Sequence, residues 1–209
     1  IRDRFISKIV KLPVSDFGMP KFEIKIRWIL IAILLPCIIK GIYVLIFNGE
    51  YVSSNMNGNE MFNTLSAGVA FTGIAAGFVE EMVFRGVILN ALKKRWNMKV
   101  AVIVPSMLFG IVHVLGQDFS IGSCLLVIIA GTMVGVMFSM IAIESGSVWN
   151  SGIVHAIWNI VIIGGGLAIG EKMDPYSVMT YVLDSKVFAI TGGEFGIESS
   201  VISLIGYII

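Results

Sequence analysis

From Ile121 to Ile143 the chain carries no charged residue. An apolar run of this length matches what a helix needs to cross a hydrocarbon core of about 30 Å. Comparable runs extend from Trp28 to Phe47, Met61 to Leu92, Val100 to Leu115 and Val148 to Ile169, and a shorter one begins at Val201 and reaches Ile209. Only 14% of the residues are charged and 56% are hydrophobic, whereas a soluble domain carries roughly 25% charged residues. Such a chain cannot cover a globular surface in water. The expected class is therefore all-α: a polytopic transmembrane bundle of about six to eight helices. Residues 170–198 mix Asp, Glu, Lys and Gly with a short apolar stretch, and read as a loop, a re-entrant segment or a further short helix. The net charge of +1 gives no footprint for nucleic acid. Cys37 and Cys124 lie in apolar runs and imply no disulfide framework.

Lysine and arginine set the expected orientation, because cytosolic loops are enriched in them. Arg2, Arg4, Lys8, Lys11, Lys21, Lys25 and Arg27 precede the first span, and Lys93, Lys94, Arg95 and Lys99 lie between the second and third. An alternating thread with the N-terminus in the cytosol puts both groups inside. It also places Trp28, Trp96 and Trp149 at that interface, where indoles concentrate. Residues 1–27 then form a cytosolic basic segment and 28–209 the membrane domain. The first 27 residues, basic and broken by Pro13 and Pro20, lack the pattern of a cleavable leader. The pairs Gly73/Gly77 and Gly131/Gly135 predict close helix packing.

Against this background, Glu80, Glu81, Arg85, His113, His155 and Asn159 fall inside predicted spans. Ionisable groups are costly there and mark functional sites by default. Glu80 to Lys93, and Val100 to His113, are each 13 positions, or about 20 Å of helix. His155 and Asn159 follow Val148 by about 10 and 16 Å of helix, so three helices bring polar groups to similar depths. Glu81 and Arg85 are spaced i,i+4 and can pair on one face, as can His155 and Asn159. Glu80 lies about 100° around the helix from Glu81. It need not share the arginine, and is free for general-base work. The plain alternative, polar groups tying helices together, suits Glu81 and Arg85. It does not require acid, base and amide at one depth.

The segments Glu80-Glu81-Met82-Val83-Phe84-Arg85, Phe109-Gly110-Ile111-Val112-His113 and His155-Ala156-Ile157-Trp158-Asn159 resemble the EExxxR, FxxxH and HxxxN motifs of the CPBP family. These are the CAAX-protease and bacteriocin-processing (Abi) intramembrane peptidases. The resemblance covers about 65–167, and 192–200 is also similar to bacterial members. It implies a helical fold around an intramembrane polar cavity open toward the cytosol, in a bacterial cytoplasmic membrane. It implies an endopeptidase acting on a membrane-associated peptide or protein, in which Glu80 activates water with help from His113. His155 and Asn159 would donate to the oxyanion, and Glu81 and Arg85 would brace the site. The family's prenyl-protease branch implies no metal. A zinc-dependent version would take Glu80, His113 and His155 as ligands. A bacteriocin self-immunity or scaffold protein without catalysis is the other reading the family allows. A proton-coupled carrier is a third, but the chain shows no internal repeat of the kind carriers use.

Overall fold

The computed structural model describes residues 17–208. The basic positions Arg2, Arg4, Lys8 and Lys11, and the final Ile209, lie outside the described residues. Five helices form the bundle: α1 (Ile26–Ile46), α2 (Gly58–Arg95), α3 (Met98–Val112), α4 (Ile121–Ser145) and α5 (Val148–Ile163). By length and apolar character α1, α2 and α4 can cross a membrane, while α3 and α5 are apolar but shorter. Leu30, Leu34 and Ile38 on α1, Phe71 and Ile74 on α2, and Leu125 and Ile129 on α4 are exposed. An apolar outer face of this extent is the surface a bilayer covers. The chain is an integral membrane helical bundle, as its composition predicts.

The helix starts follow from local chemistry. Asn57 opens α2 with a capping box: its side-chain oxygen accepts from the Asn59 and Glu60 amides, and Glu60 accepts from the Asn57 amide. Asn97, Ser120 and Ser147 cap α3, α4 and α5. Gly146 ends α4 in the left-handed conformation, at φ 72°. Within α2, two stretches of π-helix, Gly68–Ala76 and Met82–Ile88, flank the short α-helical turn Gly77–Glu81. Wide turns of this kind concentrate at functional sites.

The bundle has two dissimilar ends. At one, which we call the basic end, lie Lys21, Lys25 and Arg27, together with Lys93, Lys94, Arg95 and Lys99. Phe17 and Met19 pack there against Val148 and Trp149, and the Val148 amide donates to the Gly18 carbonyl. The part of the N-terminal segment that is described is thus seated on the bundle. Trp149 is buried, its indole N–H donating to the Pro20 carbonyl at 2.9 Å, so it does not sit at an open interface.

The other end carries a three-stranded sheet that composition did not predict. β1 (Gly49–Ser53) pairs antiparallel with β3 (Met179–Leu183), and β2 (Leu167–Gly170) pairs parallel with β3, in the order β1-β3-β2. Tyr51 faces Tyr181 and Leu167 faces Met179. The fifth apolar run was expected to be helical to Ile169, but α5 stops at Ile163. The run Gly164-Gly165-Gly166 follows, with Gly165 at φ 80°, and turns the chain into β2. After β3 come the short helix α6 (Phe188–Thr191), two 3₁₀ turns (Gly193–Phe195 and Ile197–Ser199) and α7 (Val201–Gly206).

Both glycine pairs sit where backbones meet. A Cβ on Gly131 would lie 2.6 Å from the Gly110 Cα, and one on Gly77 2.8 Å from the Ala156 Cα. The first contact joins α3 to α4 and the second joins α2 to α5. Because α3 and α5 have only 15 and 16 residues, they rise about 22–24 Å from the basic end. They stop short of a ~30 Å core. The space beyond them is filled by the loop 192–200 and the sheet, and it is there that the polar residues gather.

Candidate active site

Glu81 and Arg85 form the anchor, and both are fully buried. An Arg85 Nη1–H donates to Glu81 Oε1 at 2.7 Å, and its Nη2 donates to the Gly135 carbonyl at 2.9 Å. The guanidinium lies over the rings of Phe109, at 4.6 Å, and Phe138, at 5.4 Å. A charge this deep requires a paired partner, and its partner is the i,i+4 carboxylate that the spacing predicts.

Glu81 Oε1 also meets His155 Nδ1 at 3.2 Å. The carboxylate accepts, so Nδ1 carries the proton and Nε2 is turned away. The His155 ring stacks on Phe138 at 4.5 Å and meets Phe109 edge-on at 5.7 Å. Its Nε2 lies 3.8 Å from Glu80 Oε2. The side chain of Glu80 remains about a third exposed, at 32%, with no arginine partner. Adjacent carboxylates on one helix are therefore divided. Glu81 is consumed by Arg85 and His155, while Glu80 is left facing open space.

His113 caps the end of α3. Its Nδ1 donates to the Phe109 carbonyl at 2.7 Å, which leaves Nε2 as the accepting nitrogen. The ring packs against Phe109, tilted by 48° with centroids 4.5 Å apart. Phe109 therefore explains the FxxxH spacing: one ring touches the arginine and both histidines. Asn159, buried one turn beyond His155, donates one amide hydrogen to the Thr72 carbonyl at 2.9 Å. That bond spans the first π-helical stretch of α2 and ties α5 to it. The second amide hydrogen of Asn159 is not used in this contact.

Glu80, His113, His155 and Asn159 together line a cavity of about 160 Å³, closed by Phe109, Trp158, Phe195, Glu198 and Tyr207. A second cavity, of about 660 Å³, lies beneath the sheet and is lined by Ser120, Glu171, Asp174, Thr180 and Glu194 among others. The two share Ile163, Phe195 and Glu198. All four predicted catalytic residues thus reach one cavity, and the bracing pair lies directly behind it.

Residues 62–161 match the model of a protein family described as type II CAAX prenyl endopeptidase Rce1-like. This stretch, just under half of the 209 residues, is similar to that family. All three motifs fall inside the matched stretch, and the helical bundle suits a family of membrane-embedded proteases. No curated protein and no solved structure matches the chain.

Three parts of the candidate site were not singled out in the sequence. Glu198 accepts from the Trp158 indole N–H at 2.8 Å, and Phe195 and Thr72 complete the wall. Phe195 and Glu198 fall in the stretch 192–200 that resembles bacterial members, but no single residue in it stood out, and the family match ends before it. The zinc alternative would need Glu80, His113 and His155 to converge. Among the described residues no three His, Cys, Asp or Glu side chains form a group able to hold a metal ion.

Both cavities lie at the sheet end, away from Lys93, Lys94 and Arg95.

Proposed function

We propose that the chain is an intramembrane endopeptidase that hydrolyses a peptide bond in a membrane-associated peptide or protein by a glutamate-activated water. The observation that carries this reading is the division of the two carboxylates. Glu81 is neutralised by Arg85 and oriented against His155, and Glu80 stands unpaired by arginine in the cavity. Water between Glu80 and His113 Nε2 attacks the scissile carbonyl carbon, and Glu80 takes its proton. A base within reach is worth about 10²–10⁴ in rate. The negative charge that forms on the carbonyl oxygen is met by the free Asn159 amide hydrogen and by His155. The His155 Nδ1 is held by Glu81, and its Nε2 lies 3.8 Å from Glu80 Oε2 on the cavity side. One such donor is worth about 10²–10³. Collapse breaks the C–N bond, and the amine leaves with a proton. No step is routed through a metal.

The basic end faces the cytosol in this reading, with residues 1–27 as the basic segment and 28–209 as the membrane domain. Lys and Arg of the described chain crowd that end, whereas Glu50, Glu60, Asp118, Glu171, Asp174, Asp184 and Glu194 lie at the other. The cavity then opens away from the cytosol, which suits exported peptides or leader segments of a bacterial cytoplasmic membrane.

The test is cleavage of a membrane-anchored reporter peptide library by the purified chain in liposomes. Wild type, Glu80→Gln and His113→Ala run in parallel, each with and without a zinc chelator. Cleavage by wild type that survives the chelator and disappears in Glu80→Gln is expected. Full cellular function in Glu80→Gln would replace the enzyme with a binding or immunity role. For the orientation, single cysteines at the exposed positions Tyr176 and Lys94 are introduced with Cys37 and Cys124 removed. An impermeant maleimide should label only the Tyr176 position in intact cells.

A further inference from the structure

We propose that Glu198 is the general acid that delivers the proton to the leaving amine. The inference rests on the peptidase reading above and adds a residue that lies outside the family match and outside the motifs.

Three observations place it. Glu198 lies at the seam of the two cavities, lining both. A peptide that runs from the larger cavity into the smaller must pass its carboxyl group, with the acyl carbonyl toward Glu80 and the amine side toward the sheet. Second, the group is fixed. Trp158, which lies between His155 and Asn159 in sequence, donates its indole hydrogen to Glu198 Oε1 at 2.8 Å. The Glu198 carbonyl accepts from the Tyr207 hydroxyl at 2.9 Å. The turn beneath it is pinned by Ser199 Oγ on the Gly192 carbonyl and Ser203 Oγ on the Ile197 carbonyl. Only one carboxyl oxygen is engaged by the indole, and the other is free to hold a proton. Third, the mechanism lacks an acid at this position. Glu80, having taken the proton of water, lies on the attacking side of the carbonyl.

The surroundings favour the protonated form. The loop 192–200 lies outside the spanning helices, and burial pushes the Glu198 carboxyl above the usual carboxylate range, with the Trp158 bond and the two histidines opposing. The titratable groups that act on it come from each packed element: Glu80 on α2, His113 at the end of α3, His155 on α5, Lys40 on α1 and Tyr207 after α7. The α4 wall is apolar, formed by Val127, Ala130 and Val134.

The step balances. As the C–N bond of the tetrahedral intermediate breaks, the nitrogen takes the hydrogen of the Glu198 carboxyl group and departs as a neutral amine. Glu198 is left as the carboxylate, and the proton held by Glu80 returns to it through water when the product leaves.

A leaving group that departs without a proton makes the acid dispensable. The probes are the peptide cleaved in the reporter assay and the 4-nitrophenyl ester of its acyl half. The enzyme is the full chain in detergent, as wild type, Glu198→Gln and Glu80→Gln. Gln keeps an oxygen for the Trp158 hydrogen bond, so melting should change little. Glu198→Gln is expected to cut peptide kcat by about 10²–10⁴, with ester kcat within about threefold of wild type. Equal losses on both probes would make Glu198 a structural residue and overturn the proposal, as would an unchanged peptide rate. Wild-type rates in Glu80→Gln on both probes would overturn the peptidase reading instead.

Discussion

Replacing the two adjacent carboxylates one at a time should separate folding from chemistry. Glu81→Gln removes the charge facing a fully buried guanidinium at 2.7 Å and a buried imidazole at 3.2 Å. Leaving a buried charge without its counter-ion costs about 3–5 kcal/mol. Gln still offers an oxygen to Arg85 Nη1, which puts the cost at the lower end, about 3 kcal/mol. For a chain of this size each 1 kcal/mol lowers Tm by about 2–4 °C. The expected drop is thus about 6–12 °C in detergent-solubilised protein. Glu80→Gln touches a side chain that is 32% exposed and 3.8 Å from its nearest charged partner. Partly exposed pairs are worth about 0–1 kcal/mol, so Tm should move by no more than about 4 °C. Cleavage should fall in both variants, because Glu81 orients His155 and Glu80 activates water, which makes Tm the discriminating readout. A Tm that collapses in Glu80→Gln and holds in Glu81→Gln would reverse the two roles and refute the reasoning.

Two further outcomes follow from packing and charge. Gly131→Ala puts a Cβ 2.6 Å from the Gly110 Cα. Backbone must then shift, at about 1–3 kcal/mol, and Tm in detergent should fall accordingly. An unchanged Tm would mean that α3 and α4 do not meet at this point. Glu194 is exposed, and its carboxyl lies below the usual range because it accepts from the Ser120 amide at the start of α4. A depressed folded-state value means that its contribution is present above the unfolded value and is lost as pH falls through the folded one. The protection factor of the Ser120 amide, its intrinsic exchange rate relative to the observed rate at the same pH, should therefore fall on acidification below the ordinary carboxylate range in wild type. In Glu194→Gln the protection factor should already be low at neutral pH.

The bundle was legible because crossing a bilayer demands long apolar runs, and each predicted span is a helix at its core. The site was legible for a related reason. In hydrocarbon an ionisable residue must be paired or used, so His113 and His155, the only two histidines, stood out, and i,i+4 spacing identified the Glu81–Arg85 pair. What stayed hidden was set by contacts distant in sequence. β1 and β3 are more than 120 residues apart, and neither has an alternating pattern strong enough to declare itself. Nor could helix length be read from hydrophobicity alone, since Leu167 and Ile169 continue the apolar run after Gly164–Gly166 has ended α5. Lys40 shows how the hidden part connects to the visible one. It reads as an interruption of the first span. In the fold its ammonium group donates to the carbonyls of Val161 and Leu167, on either side of the point where α5 gives way to β2. A helix that ends inside a bilayer leaves carbonyls without partners, and those must be satisfied within the protein. The lysine on α1 is therefore tied to the early end of α5, and that early end leaves room for the cavity beside His155 and Asn159. The polar groups that make the span look flawed are the same ones that let a water-bearing cavity exist among apolar helices.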